Sequence, residues 1–138
     1  MNATGSVPAI EVVGAVIRDG ERVLMAQRPA GKTQAGLWEF PGGKIECGET
    51  PEQALARECW EELRLDIEHP TVLRSVVHSY PEKTIRLILV ECRIRPGSSP
   101  DPQEGQAVAW FHPSELDTLP VCPADRELFP FVFGERPR

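Results

Sequence analysis

The sequence predicts a mixed α+β domain with helices packed on a β-sheet. Three observations carry that prediction. Two pairs of β-branched, apolar runs are each joined across a turn. One strongly capped amphipathic helix lies between the pairs. The chain, at 138 residues, has the length of one domain with a single sizeable core.

Residues 1–8 are small and polar and are expected to form a flexible N-terminus ahead of a single domain over 9–134. Ile10–Ile17 reads IEVVGAVI, almost wholly apolar, and Arg18-Asp19-Gly20 supplies a turn into a second strand at Arg22–Gln27. Pro29–Gly36 is a polar loop, followed by the apolar-aromatic LWEF at Leu37–Phe40. After Gly48 the helix signals are dense: Thr50 caps, Pro51 suits the first turn, and Gln53 completes a capping box. Two further strands are expected at Thr71–His78 and Thr84–Ile94, with Ser79–Lys83 as their turn. Pro96–Gln103 is a Pro/Ser/Gly loop, Ala107–Phe111 a short strand, and Ser114–Leu116 a helical turn. ADRELF, Ala124–Phe129, suits a last short helix that Pro130 should end. No internal repeat or interdomain linker is visible.

Charge narrows the function. Fifteen Lys and Arg stand against 21 Asp and Glu, for a net charge of −6. Duplex nucleic acid calls for a basic face, so no direct duplex binding is expected. Cys47, Cys59, Cys92 and Cys122 lack CxxC spacing and read as reduced structural thiols. No signal-length apolar run follows a basic N-terminus, and no apolar stretch approaches about 18 residues. A soluble, cytoplasmic protein without membrane contact is expected.

The helix after Gly48 poses the central question. Leu55, Cys59 and Leu63 recur at i,i+4 and form its buried stripe. Glu58 and Glu62 share the adjoining face, with Glu61 beside them. Like charges so placed repel by a few tenths of a kcal/mol per pair. Arg57 can pair with Glu61 four residues on, but one arginine does not neutralise three glutamates. A hard divalent cation would, because Mg²⁺ takes one or two carboxylates and fills its remaining positions with water and phosphate oxygens. The competing explanation is a solvated helix face, the usual fate of a charge run.

The surrounding residues favour the cation. Gly43, Glu49, Arg57-Glu58, Glu61-Glu62 and Leu65 fit G-x5-E-x7-R-E-U-x-E-E-x-G-U, where U is bulky and apolar. At every charged position residues 43–65 resemble the motif of the Nudix hydrolases. Two positions depart: Cys59 is small for a buried U, and Arg64 stands where the family has Gly, at a helix end that favours a left-handed residue. The resemblance implies an α/β/α sandwich with a mixed sheet, carrying a loop-helix-loop catalytic motif. It also implies Mg²⁺, with Mn²⁺ as the alternative, held by Glu58 and Glu62. Glu61 would be a further ligand or hold a bridging water, and the carbonyl of Gly42 or Gly43 a backbone ligand. Glu49 would hold Arg57 and the loop. Lys44 is a candidate phosphate contact.

QRP at Gln27–Pro29, LWEFPGGKIE at Leu37–Glu46, GETPEQA at Gly48–Ala54 and EGQ at Glu104–Gln106 are similar to the MutT branch. That branch hydrolyses nucleoside triphosphates to the monophosphate and pyrophosphate. Proteins acting on CTP and modified pyrimidine triphosphates are similar in the same places. The likeness makes Glu104 a metal ligand or general base from a separate loop. It sets Arg28 on the phosphates or sugar, Phe40 against the nucleotide, and Lys83 and Asp125 near the base. An ionised Asp125 offers only acceptors and matches the paired N1–H and N2–H₂ donors of guanine, which points to 8-oxo-dGTP. Capping the last helix is its competing role. A nucleoside triphosphate is thus the expected partner, with monomer and homodimer both open and a non-catalytic nucleotide-binding module as the remaining alternative.

Overall fold

A computed structural model describes residues 9–134 of the chain; the N-terminal expectation for residues 1–8 lies outside them. Seven strands form one mixed sheet. They are β1 (Ile10–Asp19), β2 (Arg22–Gln27), β3 (Trp38–Glu39), β4 (Gly42–Lys44), β5 (Ile67–Tyr80), β6 (Lys83–Ile94) and β7 (Val108–Phe111). Their order is β3-β2-β1-β6-β5, with β4 also on β1 and β7 on β2. β1 and β6 run parallel, from Ile10 opposite Ile85 to Ile17 opposite Cys92, and the other pairs are antiparallel. Four helices follow in chain order: α1 (Pro51–Leu63), α2 (Pro113–Leu116), α3 (Pro123–Glu127) and α4 (Phe129–Phe133).

The sheet is covered on both faces because β1 and β6 are apolar on both, as central parallel strands must be. Val13, Ala15 and Ile17 face one side with Ile88 and Val90, and there Leu55, Cys59, Leu63 and Leu65 of the α1 segment bury against them. Val16, Leu87 and Leu89 face the other, covered by Leu116, Leu128, Phe129 and Val132 from the short helices. This is the α/β/α sandwich that the resemblance implied. Cys59, Cys92 and Cys122 are free and buried, and Cys47 is free and exposed. No described helix is long and apolar enough to cross a membrane.

Three boundaries differ from the sequence reading. β5 begins at Ile67 rather than Thr71, because Pro70 falls in an irregular stretch of an edge strand, where a missing N–H costs no ladder bond. The β5–β6 turn is only Pro81-Glu82, since Ser79 and Tyr80 still pair with Thr84 and Lys83. Pro130 does not end the last helix but opens a new one, α4, within whose first turn its absent N–H is not needed.

The end of α1 answers the Arg64 question. The capping box at Thr50 and Gln53 forms, and at the other end Arg64 is left-handed at φ 48° and ψ 32°. Its N–H bonds the Trp60 carbonyl at 2.9 Å and that of Leu65 bonds Cys59 at 3.1 Å, so the turn is made as glycine would make it. The Arg64 side chain offsets part of the strain by returning to the Trp60 carbonyl at 2.9 Å. Arg64→Ala, which keeps the strain and loses that contact, should lower the thermal midpoint. Arg64→Gly should be more stable than Arg64→Ala by about 1 kcal/mol. Equal midpoints for the two variants would show that the left-handed turn carries no cost.

Candidate active site

Arg57 organises the acidic face of α1. All five of its N–H donors are engaged. Nε and Nη2 grip the two oxygens of Glu49 at 2.7 and 2.9 Å. Nη2 also bonds the Lys44 carbonyl at 2.9 Å, and Nη1 reaches Glu58 at 3.0 Å and Glu61 at 3.1 Å. Glu49 in turn accepts from the Glu46 N–H at 2.8 Å, which ties the loop before α1 to the same guanidinium. These bonds hold the Glu49 carboxyl down to about 2. Its side chain thus serves Arg57 and the loop, the geometry expected of a group that orients others.

Glu58 and Glu62 lie one turn apart and point into a cavity of about 450 Å³. Burial pushes both carboxyls up, that of Glu62 to about 8, with the charges of Glu58 and Glu104 adding to the effect. Among the described residues no cation pairs with Glu62. Glu104 arrives from the loop before β7. That loop is stitched to the end of α1 by the Asp101 N–H on the Leu63 carbonyl at 2.7 Å and the Gln103 N–H on the Glu62 carbonyl at 2.9 Å. Both bonds satisfy carbonyls that a helix end leaves open. Three carboxylates therefore converge from two elements with too little positive charge among them. An all-oxygen donor set of this kind fits a hard divalent cation.

Gly42 and Gly43 run beside this set as β4, and each has a steric reason to be glycine. A Cβ on Gly42 would lie 1.8 Å from the Val13 carbonyl oxygen, and one on Gly43 would lie 2.4 Å from Cδ of Glu58. The glycines let β4 lie flat on β1 and leave room for the Glu58 carboxylate.

The opposite wall is built by β3 and the segment before α3. The Trp38 N–H bonds Pro120 at 2.8 Å and the Cys122 N–H bonds Trp38 at 2.9 Å, drawing residues 120–125 onto LWEF. Asp125 is thereby buried, with one oxygen accepting from the Phe40 N–H at 3.0 Å. Burial and the Glu39 carboxylate push Asp125 well above the usual carboxylate range. Donor atoms of Glu39, Cys122 and Asp125 lie within 4.8 Å of one another. Arg28 pairs with Glu39 at 3.2 Å and with the Thr33 carbonyl at 2.7 Å. Phe40 is 3 % exposed and its ring packs edge-on against Phe129, so it serves as core behind the site rather than as an open stacking face.

The cavity thus collects Arg28, Phe40, Gly42, Gly43, Lys44, Glu58, Glu62, Lys83, Glu104 and Asp125. Glu61 is not on its wall; its side chain is 57 % exposed and turned to Arg57. Sequence reasoning missed Lys32, Gln34, Glu39, Glu46, Tyr80 and Gln106, which also line the cavity. Glu39 was within reach, as the one charged residue of the LWEF run. A larger cleft of about 810 Å³, lined by Arg18, Glu91, Arg93 and Trp110, gathers no comparable set of acids.

The charge imbalance at Glu62 is open to measurement in metal-free protein. Its folded carboxyl titrates at about 8 against an ordinary 4.5. The group binds its proton more tightly in the folded state, so the stabilisation it gives is full below about pH 4.5 and is lost as pH rises through 8. In EDTA, Glu62→Gln should flatten the fall of the thermal midpoint between about pH 5 and 9 relative to wild type. Parallel curves would place the strain elsewhere.

Comparison with known proteins agrees with this geometry. The NUDIX domain signature matches residues 8–132. The CTP pyrophosphohydrolase of Escherichia coli is 42 % identical over 118 residues, covering 84 % of this chain and 85 % of that protein. The 8-oxo-dGTP diphosphatase of the same organism is 37 % identical over 115 residues, covering 82 % and 87 %. A solution structure of MutT from methicillin-resistant Staphylococcus aureus superposes with a TM-score of 0.74 at 33 % identity, covering 95 % of this chain and all of that one. With a family signature spanning nearly its whole length, and with Glu58 and Glu62 of the motif lining one cavity, the chain belongs to the Nudix hydrolases.

Proposed function

We propose that the protein converts a nucleoside triphosphate to the nucleoside monophosphate and pyrophosphate, with Mg²⁺ as cofactor and Mn²⁺ as the alternative. The observation that carries this reading is the single cavity lined by Glu58, Glu62 and Glu104 together with Arg28 and Lys44. One set suits a hard cation, the other a phosphate chain.

Glu58, Glu62 and Glu104 would hold the cation, with a carbonyl of Gly42 or Gly43 as a further oxygen donor, and Glu61, turned to Arg57, would meet it through a bridging water. Such a cation would supply neutralisation of phosphate charge and a water of lowered pKa. The chain's own part is positioning. Arg57 fixes Glu58 and Glu61, Glu49 fixes Arg57, and Arg28 and Lys44 restrain the triphosphate so that water meets the β-phosphorus in line with the departing monophosphate. If Glu104 is not a ligand, it is the carboxylate that takes the water's proton. Such chemistry suits a cytoplasmic enzyme that sanitises the nucleotide pool.

The base lies against Asp125, and 8-oxo-dGTP is the first reading. A second reading, CTP or a modified cytosine triphosphate, gains from a specific observation: Asp125 is buried beside Glu39 and its carboxyl is pushed up, which favours the protonated form. A protonated carboxyl presents one donor and one acceptor. That pair matches N3 and the amine of cytosine as well as O6 and N1–H of guanine. The argument for guanine from an ionised carboxylate therefore loses its premise.

Glu62→Gln should reduce turnover to near background while leaving the fold intact, a loss of several kcal/mol in transition-state stabilisation. Retention of near wild-type magnesium-dependent pyrophosphate release would refute the metal assignment. Side-by-side kcat/KM values for 8-oxo-dGTP, dGTP, CTP and 5-methyl-dCTP should show a preference of at least tenfold or so for one base class. No release from any of the four would leave only a nucleotide-binding module.

A further inference from the structure

Gln34 stands in the loop between β2 and β3 with its backbone at φ 58°, the left-handed region that a residue with a Cβ enters at a cost. The loop imposes that conformation. Arg28 Nε binds the Thr33 carbonyl at 2.7 Å, the Gly36 N–H binds the Arg28 carbonyl at 2.9 Å, and Gln27 Nε2 binds the Gly36 carbonyl at 3.0 Å. The strain delivers the Gln34 side chain to the wall of the cavity that holds Phe40, Tyr80, Lys83 and Asp125. There it lies on the same wall as the Tyr80 hydroxyl, which accepts from the Ala124 N–H at 3.2 Å, so Tyr80 stands between Gln34 and the residue before Asp125.

The amide oxygen is unmatched. Gln34 Oε1 is the one buried side-chain polar atom without a hydrogen-bond partner among the described residues. Buried amide oxygens are ordinarily paired. Turning the amide over would leave its nitrogen in the same position, so this cavity-lining residue keeps one unsatisfied polar atom either way.

We propose that Gln34 is a specificity-determining residue whose amide oxygen accepts a hydrogen bond from the exocyclic amine of the bound base. The inference rests on the nucleotide reading above and deepens it. Cytosine carries such an amine at N4 and guanine at N2, whereas uracil and hypoxanthine carry none. A base with the amine completes the Gln34 amide; a base without it leaves the oxygen orphaned, and sites built to hydrogen-bond a polar group reject ligands that lack it. The discrimination is therefore between amino and non-amino bases and holds whether the ring is a purine or a pyrimidine.

Gln34→Met keeps the length of the side chain and removes both polar atoms. Dissociation constants of CMP, UMP, GMP and IMP for wild type and variant, measured by calorimetry, are compared with kcat/KM on the four triphosphates. Wild type should prefer the amino member of the pair it binds. In the variant that preference should shrink roughly tenfold, with the non-amino ligands unaffected and the thermal midpoint unchanged or raised. Equal loss on all four ligands, or an amino preference that survives the substitution, overturns the proposal, because Gln34 then only shapes the loop. A wild type without amino preference overturns it even if every triphosphate is hydrolysed. If the amino preference is present and Gln34-dependent but no triphosphate is cleaved, the hydrolytic reading fails and Gln34 stands. Absence of binding to all four nucleotides overturns both.

Discussion

The guanidinium of Arg57 is the contact on which the acidic site depends. Carboxylates gathered on one half-buried strip repel one another and lose hydration, and either effect alone would turn them outward. Arg57 prevents this by spending all five donors within the motif. It holds the loop through Glu49 and the Lys44 carbonyl, and it holds Glu58 inward. Glu62 is left without such a partner. The arrangement keeps the helix intact while leaving, at the place where a cation would sit, a carboxyl that burial pushes towards its protonated form.

A second constraint is the closeness of β4 to β1 and α1. With Ala15 N–H bonded to the Pro41 carbonyl at 2.7 Å and Gly42 paired with Gly14, the GG step has no room for a side chain on either face. The same tightness fixes Phe40, whose N–H holds Asp125. The Glu58–Glu62 end of the cavity and the Asp125 end are thus joined through five consecutive residues, Phe40 to Lys44, that line it. Packing and specificity are coupled there: a shift that relieved Glu58 would also move the amide that holds Asp125.

Much of this was legible in the sequence. The i,i+4 stripe of Leu55, Cys59 and Leu63 gave the buried face of α1, and the spacing of Glu58 and Glu62 gave the acidic face, because both follow from helical geometry alone. The capping box was equally plain. What escaped were features that arise when distant segments meet. Gln34 and Tyr80 come from the β2–β3 loop and the end of β5, and no periodicity indicates that they share a wall. Asp125 looked like an accessible carboxylate until the bond between Trp38 and Cys122 buried it. Pro130 misled for a related reason: a proline's local veto on regular structure lapses in a helix's first turn.

The two amides that close the carbonyls of Leu63 and Glu62 come from the loop that carries Glu104. Both protons belong to the loop, so they exchange with solvent only when the loop leaves the end of α1. The same two backbone bonds thus hold Glu104 beside the turn that bears Glu62, and exchange at Asp101 and Gln103 reports how often that junction opens.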